Sequence, residues 1–147
     1  MTETQINLRE TLHHEIPLTK AMGIDVVDYK NSTLCLSAPL KPNANHKDTF
    51  FGGSLYTLAV TTGWGLAYLK MKELGYDGHV VINEGNIKYQ LPVAADCLGV
   101  CHISDEQLHR IDRQMKRRGK AVISLDVRLG DSLDAEQVLF TGRYAIV

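Results

Sequence analysis

Hydrophobic positions along the chain change their spacing several times, and each change marks an element. Leu8 and Leu12 stand four residues apart in a polar stretch, so Gln5 to His14 is expected to form a short helix. It should end before Pro17, because proline disfavours helix in the residue preceding it. From Gly23 the spacing shortens to that of strands. Ile24, Val26 and Val27 are followed by Asp28 to Asn31 as a turn and then by Leu34 to Leu40, which together read as a hairpin. Lys41 to Thr49, carrying Pro42, Asn43 and Asn45, reads as a loop.

The segment Ser54 to Leu74 is apolar nearly all round, so it predicts a helix buried on most faces, with charge only in its last turns at Lys70, Lys72 and Glu73 and a C-terminal cap at Gly75. Gly52 and Gly53 open it. His79 to Leu91 alternates as a long strand, Ile87, Tyr89 and Leu91 against Asn86, Lys88 and Gln90. Gly85 shares the face of Ile87, where the absence of a side chain would let the helix approach the sheet. Further strands are expected at Cys97 to Ile103, Ala121 to Leu129 and Val138 to Ile146, with Gly130-Asp131 as a turn signal. Between two of them, Leu108, Ile111 and Met115 predict an amphipathic helix over Asp105 to Arg118, started by a capping box of Ser104 and Gln107.

These elements fit one domain spanning residues 1–147, a length that supports a substantial core. A net charge of -1 leaves no global field toward nucleic acid or an anionic membrane, so electrostatic recognition must be local. The basic run around Arg117 lacks the interleaved aromatic residues of a nucleic-acid site. Cys35, Cys97 and Cys101 include no Cys-x-x-Cys pair and read as buried thiols, while the adjacent His13 and His14 point about 100° apart on a helix and do not converge on a metal. No metal and no cofactor are expected. Residues Met1 to Leu8 lack the apolar core of a signal peptide, no run approaches a membrane span, and the expectation is cytoplasmic.

Phe51-Gly52-Gly53-Ser54-Leu55 entering the apolar helix, together with Gly85-Asn86-Ile87-Lys88-Tyr89-Gln90-Leu91-Pro92-Val93 on the long strand, resembles the hotdog thioesterase superfamily. More narrowly, the chain looks like a thioesterase family found as the C-terminal half of some bacterial chains that begin with an acetyltransferase domain. The resemblance covers roughly Leu18 to Val147. It implies an α+β hotdog fold, an antiparallel sheet wrapped around one long central helix. It also implies a homodimer, with further pairing into a tetramer left open, and active sites at the dimer interface near the start of each central helix. The substrate class it implies is an acyl thioester of coenzyme A or of acyl carrier protein.

A common hydrolase pattern of that superfamily reads Asn-x-x-Gly-x-x-His-Gly-Gly, with an acid seven positions beyond the second glycine. This chain keeps Asn45, Gly52 and Gly53, but has Asp48 at the first glycine, Phe51 at the histidine and Val60 at the acid. The resemblance therefore implies an oxyanion site at the amides of Gly53 and Ser54, beside Gly52, with Asn45 orienting carbonyl or water. The activating base stays open between Asp48 and Glu84, the latter sharing a strand face with Asn86, and Thr61 is a further candidate for orienting water. Arg117 and Arg118, at the end of the second long helix, are candidates for contacting the anionic carrier; the macrodipole alone also accounts for cations there. Two other functions compete. One is a binding module without turnover, consistent with the missing histidine and acid; the other is a dehydratase using His46 and Glu84.

Overall fold

The computed structural model describes all of residues 1–147. Helix α1 runs over Glu3–Glu15, α2 over Pro17–Met22, α3 over Gly52–Glu73 and α4 over Asp105–Arg118. Strands β1 (Asp25–Lys30), β2 (Thr33–Ala38), β3 (Val80–Tyr89), β4 (Cys97–His102), β5 (Ala121–Gly130) and β6 (Val138–Ile146) form one sheet in the order β1-β2-β4-β5-β6-β3, antiparallel at every pairing. The concave face of this sheet wraps α3, which is the hotdog arrangement of an α+β fold. No helix is long and apolar enough to cross a membrane.

The core explains why α3 is apolar all round. Leu58, Ala59, Leu66 and Met71 are fully buried and join Leu34, Leu36, Leu125 and Phe140 of the sheet and Leu8 and Leu12 of α1 in one continuous cluster. The helix–sheet approach is close enough to need glycine. A Cβ at Gly85 would collide with the hydroxyl of Tyr56, and one at Gly63 with the hydroxyl of Tyr144, which donates to the Val60 carbonyl at 2.7 Å. Each such glycine costs about 1 kcal/mol of helix propensity or strand entropy, which the close packing offsets. Gly75, at φ 88°, follows α3 in the left-handed position expected of a helix terminator.

Several boundaries depart from the expectations. The turn expected at Asp28 to Asn31 is displaced, because β1 continues to Lys30 and the reversal is made by Asn31 and Ser32, both at positive φ (53° and 57°) as a tight hairpin requires. The first helix ends before Pro17 as expected, at Glu15, but a second helix that was not expected follows it. That proline opens α2 at the first helical position, where its missing N–H is no loss. Strand β2 ends at Ala38 rather than Leu40, whereas α3 begins at Gly52, the first of the two glycines expected to open it. The capping box at Ser104 and Gln107 is present, with the two bonds at 3.1 and 2.9 Å.

Candidate active site

The segment leading into α3 is fastened on both sides. Asn43 donates through Nδ2 to the carbonyls of Met22 and Pro39, each at 2.8 Å, and its own carbonyl accepts from the Phe51 amide at 2.8 Å. The Phe50 amide donates to the Val93 carbonyl at 2.8 Å. Between these ties lies a short loop organised by Asn45. Its Oδ1 accepts from the amides of Lys47 (2.8 Å) and Thr49 (3.2 Å), and its Nδ2 donates to the Thr49 hydroxyl at 2.8 Å. One N–H of that amide group remains free.

Asp48 stands in this loop at φ 60°. The common pattern has glycine at this position, and the backbone shows why: a left-handed residue is needed, and aspartate is among the few others that tolerate it. Its side chain is exposed.

At the end of the loop, α3 starts with no side-chain cap. Phe51 at the N-cap is 56% exposed and offers no acceptor. The first helical bond runs from the Leu55 amide to the Phe51 carbonyl at 3.0 Å, and the amides of Gly52, Gly53 and Ser54 have no partner. Three N–H groups thus point out of the positive end of a 22-residue helix. Beside them is a cleft of about 300 Å³. Phe50, Leu55, Leu91 and Val93 supply its apolar wall, and Asn45, Thr49, Tyr89 and Gln90 its polar groups. An apolar trough ending at converging amide donors suits an acyl group whose carbonyl carbon develops negative charge on oxygen.

The structure puts Asn45 and Gly52 on the cleft with Gly53 and Ser54 in the adjoining helix turn, leaves Asp48 exposed on the loop before them, and places the other candidates elsewhere. Thr61 is buried in α3 and its hydroxyl donates to the Thr57 carbonyl at 2.7 Å, as Thr62 does to Leu58. Glu84 and Asn86 are exposed, opposite Arg143 and Thr141 on the outer face of the sheet, because their neighbours Gly85 and Ile87 face the helix. Arg117 and Arg118 end α4, which adjoins the C-terminal end of α3 through the bond from the Tyr76 hydroxyl to Asp112 (2.6 Å). That is roughly 33 Å of helix from Gly52 at 1.5 Å per residue. Lys116 pairs with Asp112 at 2.8 Å and Arg110 with Glu106 at 3.3 Å, while Arg113, Arg117 and Arg118 have no carboxylate partner.

Tyr89 was not among the expected site residues. It closes one side of the cleft and donates from its hydroxyl to the Gly52 carbonyl at 2.9 Å. Its signal in the sequence was its period with Gly85 and Ile87, which puts it on the helix side. Burial, and next the nearby Tyr56, push its phenol above the usual value. The cysteines offer no nucleophile, since burial pushes Cys35 up to about 11 and Cys97 and Cys101 to about 12.

A six-stranded antiparallel sheet wrapped around one long helix, with that helix starting uncapped beside a cleft, is the hotdog architecture. Residues 5–147 match the family described as "Putative thioesterase (yiiD_Cterm)", and the chain belongs to that thioesterase family. A solved protein of unknown function from Chlorobaculum tepidum is 37% identical over 97% of this chain and 93% of its own, with a TM-score of 0.92. A protein from Shewanella oneidensis, described as a putative thioesterase, is 33% identical over 100% of this chain and 99% of its own, with a TM-score of 0.86. The fold extends to a thioesterase from Haemophilus influenzae at 12% identity, covering 100% and 92% of the two chains with a TM-score of 0.76.

Proposed function

We propose that the protein hydrolyses acyl thioesters of coenzyme A or acyl carrier protein by attack of water at the start of α3. The single observation that carries this reading is the set of three unpartnered amides, Gly52, Gly53 and Ser54, at a helix start whose first residue, Gly52, lines a cleft with one apolar wall. The amides of Gly53 and Ser54 hold the oxyanion, a contribution worth about 3 to 4 kcal/mol per donor in related chemistry. The free N–H of Asn45 orients the carbonyl or the water. Asp48, on the same loop, is the base candidate nearest to it in the chain. Glu84, on the outer face, reaches a site only if a second copy brings it there.

The reading includes a homodimer. Strand β3 is an edge with one side unpaired, and Val81, Tyr89 and Leu91 along it are exposed apolar residues. A two-fold that joins two such edges runs them antiparallel, setting the Val80 end of one copy beside the Tyr89 end of the other. Arg118 lies near Val147, which pairs with His79 just before β3. The unpaired arginines of α4 then flank the other copy's cleft, where the phosphates of coenzyme A or an acidic carrier would rest.

Turnover of a panel of acyl-coenzyme A and acyl-carrier thioesters tests the proposal, with Gly53→Val as its internal control. The atoms nearest a Cβ at Gly53 belong to the exposed ring of Phe51, which can turn aside, so this variant should fold and lose activity. Wild-type turnover in folded Gly53→Val places the chemistry elsewhere. A second reading, a binder without turnover, is favoured by Phe51 and Val60 in place of histidine and acid; tight thioester binding with no hydrolysis would select it.

A further inference from the structure

We propose that Tyr89 is a positioning residue whose hydroxyl, by holding the Gly52 carbonyl, sets the direction of the Gly53 N–H. This rests on the reading of the Gly52 to Ser54 turn as the thioester site. The linking step is the planarity of the peptide unit. The carbonyl of Gly52 and the N–H of Gly53 belong to one plane and point in opposite directions, so neither turns without the other. A hydroxyl 2.9 Å from the carbonyl oxygen therefore controls a donor on the opposite side of the peptide.

The surroundings show why such a hold matters here. The amides of Phe50 and Phe51 are tied to Val93 and Asn43, each at 2.8 Å. The Gly52–Gly53 peptide, two units beyond, joins two glycines, which lack the Cβ that restricts rotation, and it lies in a helical first turn with no side-chain cap. The helical pattern gives the Gly52 carbonyl one partner, the amide four residues on. Tyr89 adds a second, from outside the helix. A carbonyl that accepts twice polarises its peptide and makes the attached N–H a stronger donor.

Tyr89 is also well carried. It is the last residue of β3, paired opposite Val138, and the next two amides, Gln90 and Leu91, both donate to the Gln137 carbonyl at 2.9 and 3.0 Å. Its ring lies 3.5 Å from where a Gly52 Cβ would stand, which is ordinary contact, so ring packing and hydroxyl bond act on the same residue. The raised phenol keeps its proton, and hence its donor, through neutral pH.

Tyr89→Phe removes the hydroxyl and keeps the ring. The expected result is a fall in kcat of about tenfold to a hundredfold, less than the 10²- to 10³-fold loss of an oxyanion donor outright. KM should stay within about twofold and the melting temperature within a few degrees, which a merely structural role would not produce. In nitrogen-15-labelled protein the Gly53 amide resonance should move, since its nitrogen is bonded to the carbonyl that loses a partner. A kcat within twofold of wild type, or a raised KM with kcat unchanged, overturns the proposal. A wild-type protein that binds thioesters without turnover removes the hydrolase reading, and one that also fails to bind them overturns the site reading instead. The Gly53 resonance, which needs no turnover, then judges the clamp alone, and an unmoved resonance in Tyr89→Phe overturns that as well.

Discussion

Three helices of this protein begin in two different ways. At α1, the Thr2 hydroxyl accepts from the Gln5 amide and the Gln5 side chain accepts from the Thr2 amide, both at 3.2 Å. At α4, Ser104 and Gln107 make the same reciprocal pair. At α3, the longest helix, Phe51 caps nothing and three amides are left open. The chain thus has the means to close a helix start and does so at the surface, where a cap contributes about 1 kcal/mol. Leaving the most buried helix open forgoes that stabilisation, and in the proposed function the open end receives the oxyanion. Stability and activity are set against each other at one turn.

The most direct way to break the comparison is to give α3 the cap it lacks. In Phe51→Asp the new carboxylate sits at the N-cap, where it accepts from the amides of Gly53 or Ser54, the same donors assigned to the oxyanion. Turnover should fall by about 10²-fold or more, as for loss of an oxyanion donor. Folding stability should hold or rise by about 1 kcal/mol, since the cap gained offsets a ring that was mostly exposed. Thermal melts beside steady-state rates check both halves. The matching change at α4, Ser104→Ala, should cost about 1 kcal/mol of stability and leave kcat alone. A loss of activity there would mean that the difference between the two helix starts is not functional.

A smaller effect sharpens the account at the other end of α3. Arg117→Ser combined with Arg118→Ser should raise KM roughly fivefold at low salt, as two exposed charge contacts of about 0.5 kcal/mol each imply, with kcat intact. The rise should fade with added salt. An unchanged KM for both carriers leaves these arginines as solvated ends of α4, favoured by its macrodipole alone.

Much of this was legible because it is local in sequence. The all-round apolarity of α3, its paired opening glycines and the alternation of β3 each belong to a short window whose period is itself the physical cause. The open amides of Gly53 and Ser54 at the helix start were legible for the same reason. What escaped depends on the third dimension. Asp28 and Lys30 look like turn residues because β1 is an edge strand, so polar side chains cost nothing there; the positive φ of Asn31 and Ser32 marks the real reversal. Alternation showed that Glu84 and Asn86 share a face, but period two gives relative sides only. Gly85, needed on the helix side by Tyr56, is what sends them outward. Asp48 read as a possible acid–base group, and its backbone gives it a second reason to be there, the left-handed turn. The clamp from Tyr89 to Gly52 joins residues 37 apart, beyond the reach of any local pattern.

The central claim is that the open amides of α3 receive the thioester carbonyl. A hydrolysis-resistant acyl-coenzyme A analogue, with a methylene in place of the thioester sulfur, titrated into nitrogen-15-labelled protein reads those amides one by one. The largest shifts should fall on Gly52, Gly53 and Ser54, with smaller ones at Asn45 and Tyr89, and Phe51→Asp should suppress them. Shifts centred instead on the outer face of the sheet around His102 and Arg128, with the start of α3 unmoved, would contradict it.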